Sequence, residues 1–306
     1  MQQLVIATRK SRLAMWQSQH VADALAGVRP DLNVELMPLS TRGDEILDRS
    51  LAEIGGKGLF LKELEKALLD GRADIAVHSL KDVPATQPEG LELGAYLPRA
   101  NPLDLWIGRG GLPLDRLPPG SRVGSSSLRR ISQVRARRSD IETVPLRGNV
   151  ETRLSAVSEG RVDATILAAA GLERLGLVPE HALAMASPAW LPAPGQGIIV
   201  VQQRAGDPDV AGLVSQLACA RTTVQARAER AVVAALGGDC TMPLAAHAFV
   251  DDDRVVLRAR LGDEDGQLID AEARGTLSEP EALGREAADQ LLNDGGRELL
   301  ERLNAS

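Results

Sequence analysis

From residue 1 to about 200 the chain alternates short apolar runs with stretches of helical periodicity, the pattern of βα units on a largely parallel sheet. Leu4–Thr8, Val34–Leu39 and Ala73–His78 read as strands. Ser11–Val28 reads as a helix with Leu13, Trp16, Val21 and Leu25 on one face, and Gly58–Leu69 as another with an inward Leu61, Leu64, Leu68 stripe. A second set begins near Asn101-Pro102, with strands at Leu103–Ile107, Val123, Ile141–Leu146 and Ala164–Ala168 and helices at Leu128–Arg138 and Asn149–Ser158. The Pro/Gly-rich segment Leu191–Gly197 marks a crossover into one more apolar strand, Ile198–Gln202, placed back in the first unit. The expected domains are therefore 1–98 with 197–216, then 99–196, then 217–306. In the last of these a helix (Thr223–Leu236), an antiparallel meander (Ala245–Val250, Arg254–Leu261, Leu268–Gly275) and a mostly helical tail (Pro280–Leu303) make an α+β unit.

Composition excludes several functions. With 306 residues, 44% of them hydrophobic, the chain has material for more than one core. A net charge of −7 argues against a general nucleic-acid binder, and 2% aromatic residues cannot build a base-stacking platform. No apolar run approaches the roughly 18 residues of a membrane-spanning helix, and the basic residues follow, rather than precede, the short apolar stretch at the start. Two cysteines, Cys219 and Cys240, make no disulfide framework. These features predict a cytoplasmic protein without nucleic-acid or membrane partners.

Charge is uneven in a way that points to an anionic ligand. Residues 121–161 hold nine arginines against four acids, whereas 217–306 hold seventeen acids against ten arginines. Gly55-Gly56-Lys57-Gly58 lacks the spacing of a P-loop, Gly124–Leu128 lacks the closing glycine of a nucleophile elbow, and four scattered histidines make a poor metal site. His20 and His78 read as core or capping residues. Ser125-Ser126-Ser127-Leu128-Arg129-Arg130 follows a strand and opens a helix, so backbone N–H groups, hydroxyls and two guanidinium groups converge there. Leu146–Arg153 repeats the logic with Arg147, Arg153 and an Asn149 cap. Arg9 and Ser11 lie where the first strand meets the first helix, and Lys81 lies at another strand end; such ends face one cleft in open α/β sheets. Asp82 reads as a lone carboxylate amid these cations. Cys240 lies in a Gly/Pro loop, a better place for covalent chemistry than that of Cys219, which reads as a buried small hydrophobe.

Seven stretches then carry a resemblance: Ala7–Ser11, Thr41–Asp44, Gly55–Phe60, Ala76–Pro84, Ser126–Arg130, Leu146–Val150 and Pro194–Gly197. In this order, and over nearly the whole chain, they resemble the porphobilinogen deaminase (hydroxymethylbilane synthase) family. The resemblance implies two periplasmic-binding-protein-like α/β domains with a cleft between them, plus a small C-terminal α+β domain. It implies a monomer with a dipyrromethane cofactor joined to Cys240 by a thioether and held by Lys81, Ser127, Arg129, Arg130 and Arg153. Arg9, Ser11, Gln17 and Arg147 would bind substrate, Asp82 would be catalytic, and a lid over Arg42–Gly58 with Lys57 and Phe60 would limit water. No metal is implied. In the family's cysteine loop a small residue usually precedes the cysteine, whereas Asp239 stands there in this chain. The implied reaction joins four porphobilinogen molecules, releasing ammonia each time, and hydrolysis frees linear hydroxymethylbilane. Each porphobilinogen carries an acetate and a propionate, which suits arginine-rich strand ends. The alternative class, an anion-binding module without chemistry, differs in one cheap observable: its intact mass would equal its sequence mass.

Overall fold

The computed structural model describes residues 1–40, 61–238 and 242–305. Its first lobe contains β1 (Gln3–Arg9), α1 (Arg12–Val28), β2 (Asn33–Leu39), α2 (Lys62–Leu69), β3 (Ile75–Ser79) and β4 (Leu91–Tyr96). The second contains β5 (Asp104–Gly108), β6 (Arg122–Gly124), α3 (Leu128–Arg135), β7 (Glu142–Val144), α4 (Val150–Ser158), β8 (Ala164–Ala168), α5 (Ala169–Arg174) and β9 (Leu183–Met185). The chain then returns: β10 (Ile199–Arg204) joins the first sheet, and α6 (Pro208–Val214) packs beneath it. The strand orders are β2-β1-β3-β10-β4 and β7-β6-β8-β5-β9.

Each sheet is largely parallel, as the sequence pattern implies, but each carries one reversed strand that the pattern does not show. In each, four strands run in one direction and one runs against them: β10 is antiparallel to its neighbours β3 and β4, and β5 to its neighbours β8 and β9. Topology is the reason. β5 and β10 are the strands by which the chain enters a lobe from the other, so they start where the parallel strands end. The strand Leu91–Tyr96 escaped the sequence reading because it lacks clean alternation and has Gly94 at its centre, where a Cβ would lie 2.4 Å from the Gln203 amide oxygen and push that side chain aside.

Local signals set the helix starts. The Ser11 hydroxyl accepts from the Ala14 N–H at 3.3 Å, and the Asn149 side chain accepts from the Thr152 N–H at 2.8 Å, capping α1 and α4. Burial then fixes each lobe. Leu4, Ile6, Val21, Leu25, Ile75 and Val201 fill the first, and Trp106, Val123, Val134, Ile166 and Trp190 the second.

The third unit packs α7 (Ala220–Ala235), α8 (Pro280–Leu291) and α9 (Arg297–Ala305) against a β11-β12-β13 meander (Leu244–Asp251, Arg254–Gly262, Leu268–Thr276), with Val232, Leu257, Leu261, Leu283 and Leu291 in its core. It is tied to both inter-lobe crossings by Glu229, fully buried on α7. Glu229 accepts from Arg99 Nη1 at 2.6 Å on one crossing, from the Gly195 N–H at 2.6 Å on the other, and from the Ala248 N–H at 2.7 Å. An unpaired carboxylate could not be buried there, and these bonds make the burial tolerable. No helix among the described residues is long and apolar enough to cross a membrane.

Candidate active site

The ends of β1 and β3 and the starts of α1 and α3 meet between the lobes. Ser79 passes directly into a single tight turn, Leu80–Asp82, closed by the Val83 N–H on the Leu80 carbonyl at 3.0 Å. Consecutive side chains of this turn face different spaces. Asp82, which is exposed, lines a pocket of the first lobe with Arg9, Ser11, Gln17 and His78. Lys81 lines a second pocket, with about 600 Å³ of empty space counting its open mouth, between both lobes and the third unit. Ser127, Arg129, Arg230 and the apolar Leu80, Val83, Val233 and Leu244 complete its wall.

Behind this second pocket lies a group that the sequence reading missed. Asp104, the first residue of β5, is fully buried and accepts four hydrogen bonds. Its donors are Arg129 Nη1 at 2.8 Å, Arg130 Nη2 at 2.7 Å, Trp190 Nε1 at 2.8 Å and Gln196 Nε2 at 3.0 Å. Burial alone would raise its pKa, but the two guanidinium groups hold it far below the usual carboxylate range. Asp82 is therefore not the lone carboxylate among these cations. Arg129 and Arg130 are themselves buried rather than free on a helix face, and Arg129 also donates to the Leu191 carbonyl at 2.7 Å. The Nε of Arg130 is buried with no partner among the described residues. A signal for Asp104 was present: an acid opening an apolar strand, where aspartate is disfavoured.

Gln196 links this group to the Leu80–Asp82 turn. Its amide nitrogen donates to Asp104 and to the Pro102 carbonyl at 2.8 Å, and its oxygen accepts from Lys81 Nζ at 3.4 Å. Burial pushes the Lys81 ammonium down to about 8; Asp82 and Asp104 oppose that fall, and Arg130 and Arg129 add to it. Arg153 is pushed down to about 10, by burial first and then by Arg130, with Asp82 opposing and Arg147 adding. Lys81 and Arg153 thus both feel Arg130 and Asp82 across the cleft.

The other expected residues divide. Gln17 is buried and donates to the Ser79 hydroxyl at 2.8 Å, steadying the strand end before the turn, while the Ser11 hydroxyl caps α1 as well as lining the first pocket. Arg153 donates from Nε to the Gly148 carbonyl at 3.0 Å. Lys57, Phe60 and the proposed lid over Arg42–Gly58 lie outside the described residues, as does Cys240; its described neighbour Met242 lines the second pocket. Cys219 is not a buried small hydrophobe: it is half-buried at the N-cap of α7, where the Thr222 side chain lowers its thiol pKa. His78 sits in the first sheet against the Gln202 amide oxygen at 3.1 Å, as a core histidine should, whereas His20 is neither core nor cap: it is exposed and stacks on the ring of Trp16.

The fold and site together define a two-lobed α/β protein with an arginine- and lysine-lined cleft beside one exposed acid, Asp82. Comparison with known proteins makes this specific. Residues 4–212 match the family model of the porphobilinogen deaminase dipyrromethane cofactor binding domain, and residues 223–293 match that of the C-terminal domain. The porphobilinogen deaminases of Xanthomonas axonopodis pv. citri and Stenotrophomonas maltophilia are each 51% identical to it over 98% of this chain and 99% of their own. That of Bordetella parapertussis is 49% identical over 99% of this chain and 96% of its own. The chain belongs to the porphobilinogen deaminase family. These enzymes use a dipyrromethane cofactor and polymerise porphobilinogen to hydroxymethylbilane in tetrapyrrole biosynthesis. Among solved structures it is similar to the L-cystine solute receptor of Neisseria gonorrhoeae (15% identical, 70% of this chain and 85% of that one, TM-score 0.40). It is also similar to an arginine-specific periplasmic binding protein of Salmonella typhimurium (10% identical, 71% and 92%, TM-score 0.43).

Proposed function

We propose that Asp82 is the catalytic carboxylate of this deaminase and that the dipyrromethane is joined to Cys240 and lies in the pocket of Lys81, Ser127, Arg129 and Arg230. The observation that carries this reading is the turn whose neighbouring side chains, Lys81 and Asp82, face the two pockets. The pocket suits the group: apolar walls from Leu80, Val83, Val233 and Leu244 accept flat pyrrole rings, and Lys81 and Arg129 meet ring carboxylates. The buried Nε of Arg130 is a donor with no acceptor among the described residues, as suits a site for an acidic ligand.

When bound, the cofactor supplies a pyrrole carbon nucleophilic enough to take the first substrate unit. The protein's part is positioning and charge. Arg9, Ser11 and Gln17 line the space beside Asp82 where porphobilinogen would bind, with Arg147 across the cleft. As ammonia leaves the substrate's aminomethyl carbon, the Asp82 carboxylate stabilises the positive charge and accepts pyrrole N–H bonds. It then holds the proton released at the attacked ring carbon. On this reading the three sheets mark three domains, 1–98 with 197–216, 99–196 and 217–306. The enzyme works as a cytoplasmic monomer without nucleic-acid or membrane partners, and Lys57 and Phe60 belong to its lid.

Intact-mass measurement tests the attachment. Cys240→Ser should show the bare sequence mass and no turnover, and Cys219→Ser should keep the dipyrrole mass and near-parent activity. Because Cys219 is half-exposed with a lowered pKa, the reverse result would transfer the attachment to it.

A further inference from the structure

The turn that carries Asp82 needs a restraint on its downstream side. Upstream it is anchored by the Leu80 N–H on the Ile198 carbonyl at 2.9 Å. Downstream come Val83, Pro84 and Ala85, where proline has no N–H to give to a backbone ladder. The carbonyls of these three successive residues turn toward one side chain from another part of the molecule. Arg230 Nη1 donates to the Val83 carbonyl at 3.2 Å, and Nη2 donates to those of Pro84 and Ala85, both at 2.9 Å. The guanidinium serves the three carbonyls from two nitrogens held in one fixed fork, whereas an ammonium would have to serve them from a single nitrogen and an amide has only two donors.

We infer that Arg230 is a positioning residue for Asp82, holding the catalytic turn in register with the helix that leads to the cofactor loop. The inference rests on the reading of Asp82 as the catalytic carboxylate. Arg230 belongs to α7, and that helix is independently fixed by its neighbour Glu229, which binds both inter-lobe crossings. Six residues beyond Arg230, about 9 Å along the axis, the helix ends at Leu236, and Cys240 follows four residues later. One rigid element therefore grips the turn bearing the acid and leads into the segment bearing the cofactor cysteine. A substrate ring must be placed against both within a fraction of an ångström for efficient transfer.

The test uses full-length, cofactor-loaded protein, with loading checked by intact mass. Arg230→Gln should lower kcat by ten- to a hundredfold while KM stays within threefold, and Arg230→Lys should recover only part of the loss. Hydrogen exchange of residues 80–87 should quicken at least tenfold in Arg230→Gln, with residues 199–204 unchanged. Combined with Asp82→Asn, Arg230→Gln should add less than a twofold further loss, because the two act through one group. A loaded Arg230→Gln enzyme with kcat within twofold of the parent would overturn the inference, as would a fully multiplicative loss in the double variant. Should Arg230→Gln fail to load, Arg230→Lys decides: unchanged exchange over 80–87 rejects the positioning role. Near-parent turnover in Asp82→Asn would instead remove the reading beneath it, whatever Arg230 shows.

Discussion

In the first lobe the strand ends present Arg9 and an exposed acid, Asp82, to an open pocket; in the second, built on the same strand plan, Arg129 and Arg130 are buried on an acid that water does not reach. The sheets place β3 and β8 at equivalent central positions, and the entering strands β10 and β5 at the next. Their acids have opposite characters because their surroundings do. Asp104 takes four donors and has its charge fixed, which makes it unfit to move protons but suited to hold two guanidinium groups at one angle. Asp82 lies in a three-residue turn at the junction of two pockets, where it can meet ligand and solvent. On the proposed reading, one lobe supplies a rigid pair of guanidinium groups for anions, and the other the acid that reacts.

This contrast is most sharply tested by removing each charge without changing shape. Asp82→Asn should lower kcat by about 10³–10⁴, roughly 4–5 kcal/mol of barrier, while leaving the unfolding midpoint unchanged. Steady-state kinetics and thermal melts on the same preparation check it. A melt lowered by several degrees alongside a modest rate loss would mean that Asp82 is structural.

Asp104→Asn should show the converse. Breaking a buried ion pair by removing one partner costs about 3 kcal/mol or more, since two guanidinium groups remain buried without their counter-charge. Denaturant unfolding followed by tryptophan fluorescence is the natural probe, because Trp106 and Trp190 both lie in the second lobe's core and Trp190 donates to Asp104. If the midpoint matched the parent's, the four-donor arrangement would not be what holds Arg129 and Arg130.

What could be read in the sequence follows the range of the interactions involved. Most strand and helix positions, the Asn149 cap and the return of the chain near Ile199 rest on local pattern and were legible; β4 and the capping role of Ser11 were not. The cationic residues were legible as a set because charge asymmetry needs no contact map. Their pairing was not. Arg129 and Arg130 read as open-ended donors because Asp104 lies 25 residues away from the first of them and Trp190 lies 86 residues from Asp104. Arg230 was invisible for the same reason: its carbonyl acceptors lie about 145 residues upstream. The antiparallel entry strands were missed because strand direction depends on which lobe the chain has just left.

The smallest of these effects separates the lobes by pH. His78 is buried in the first sheet, and burial pushes its pKa down to about 4, with the Gln202 bond opposing and Arg9 adding. An unfolded histidine titrates near 6.5, so between about 4 and 6.5 the unfolded chain binds a proton at this residue that the folded chain refuses. Stability must then rise with pH through that window and fall as acid is added, by about 2 kcal/mol at pH 5. Asp104 behaves otherwise: its pKa lies far below this window, so its pairing with Arg129 and Arg130 is untouched there. Acidification from pH 7 to pH 5 should therefore loosen the first lobe before the second. Hydrogen exchange should quicken first across Ile75–Ser79 and Ile199–Arg204, while Trp106 and Trp190 keep their buried fluorescence. His78→Gln should flatten the pH dependence of the first lobe even if it lowers stability at neutral pH. Simultaneous loosening of both lobes, or a pH slope unchanged in His78→Gln, would mean that another group drives the acid response.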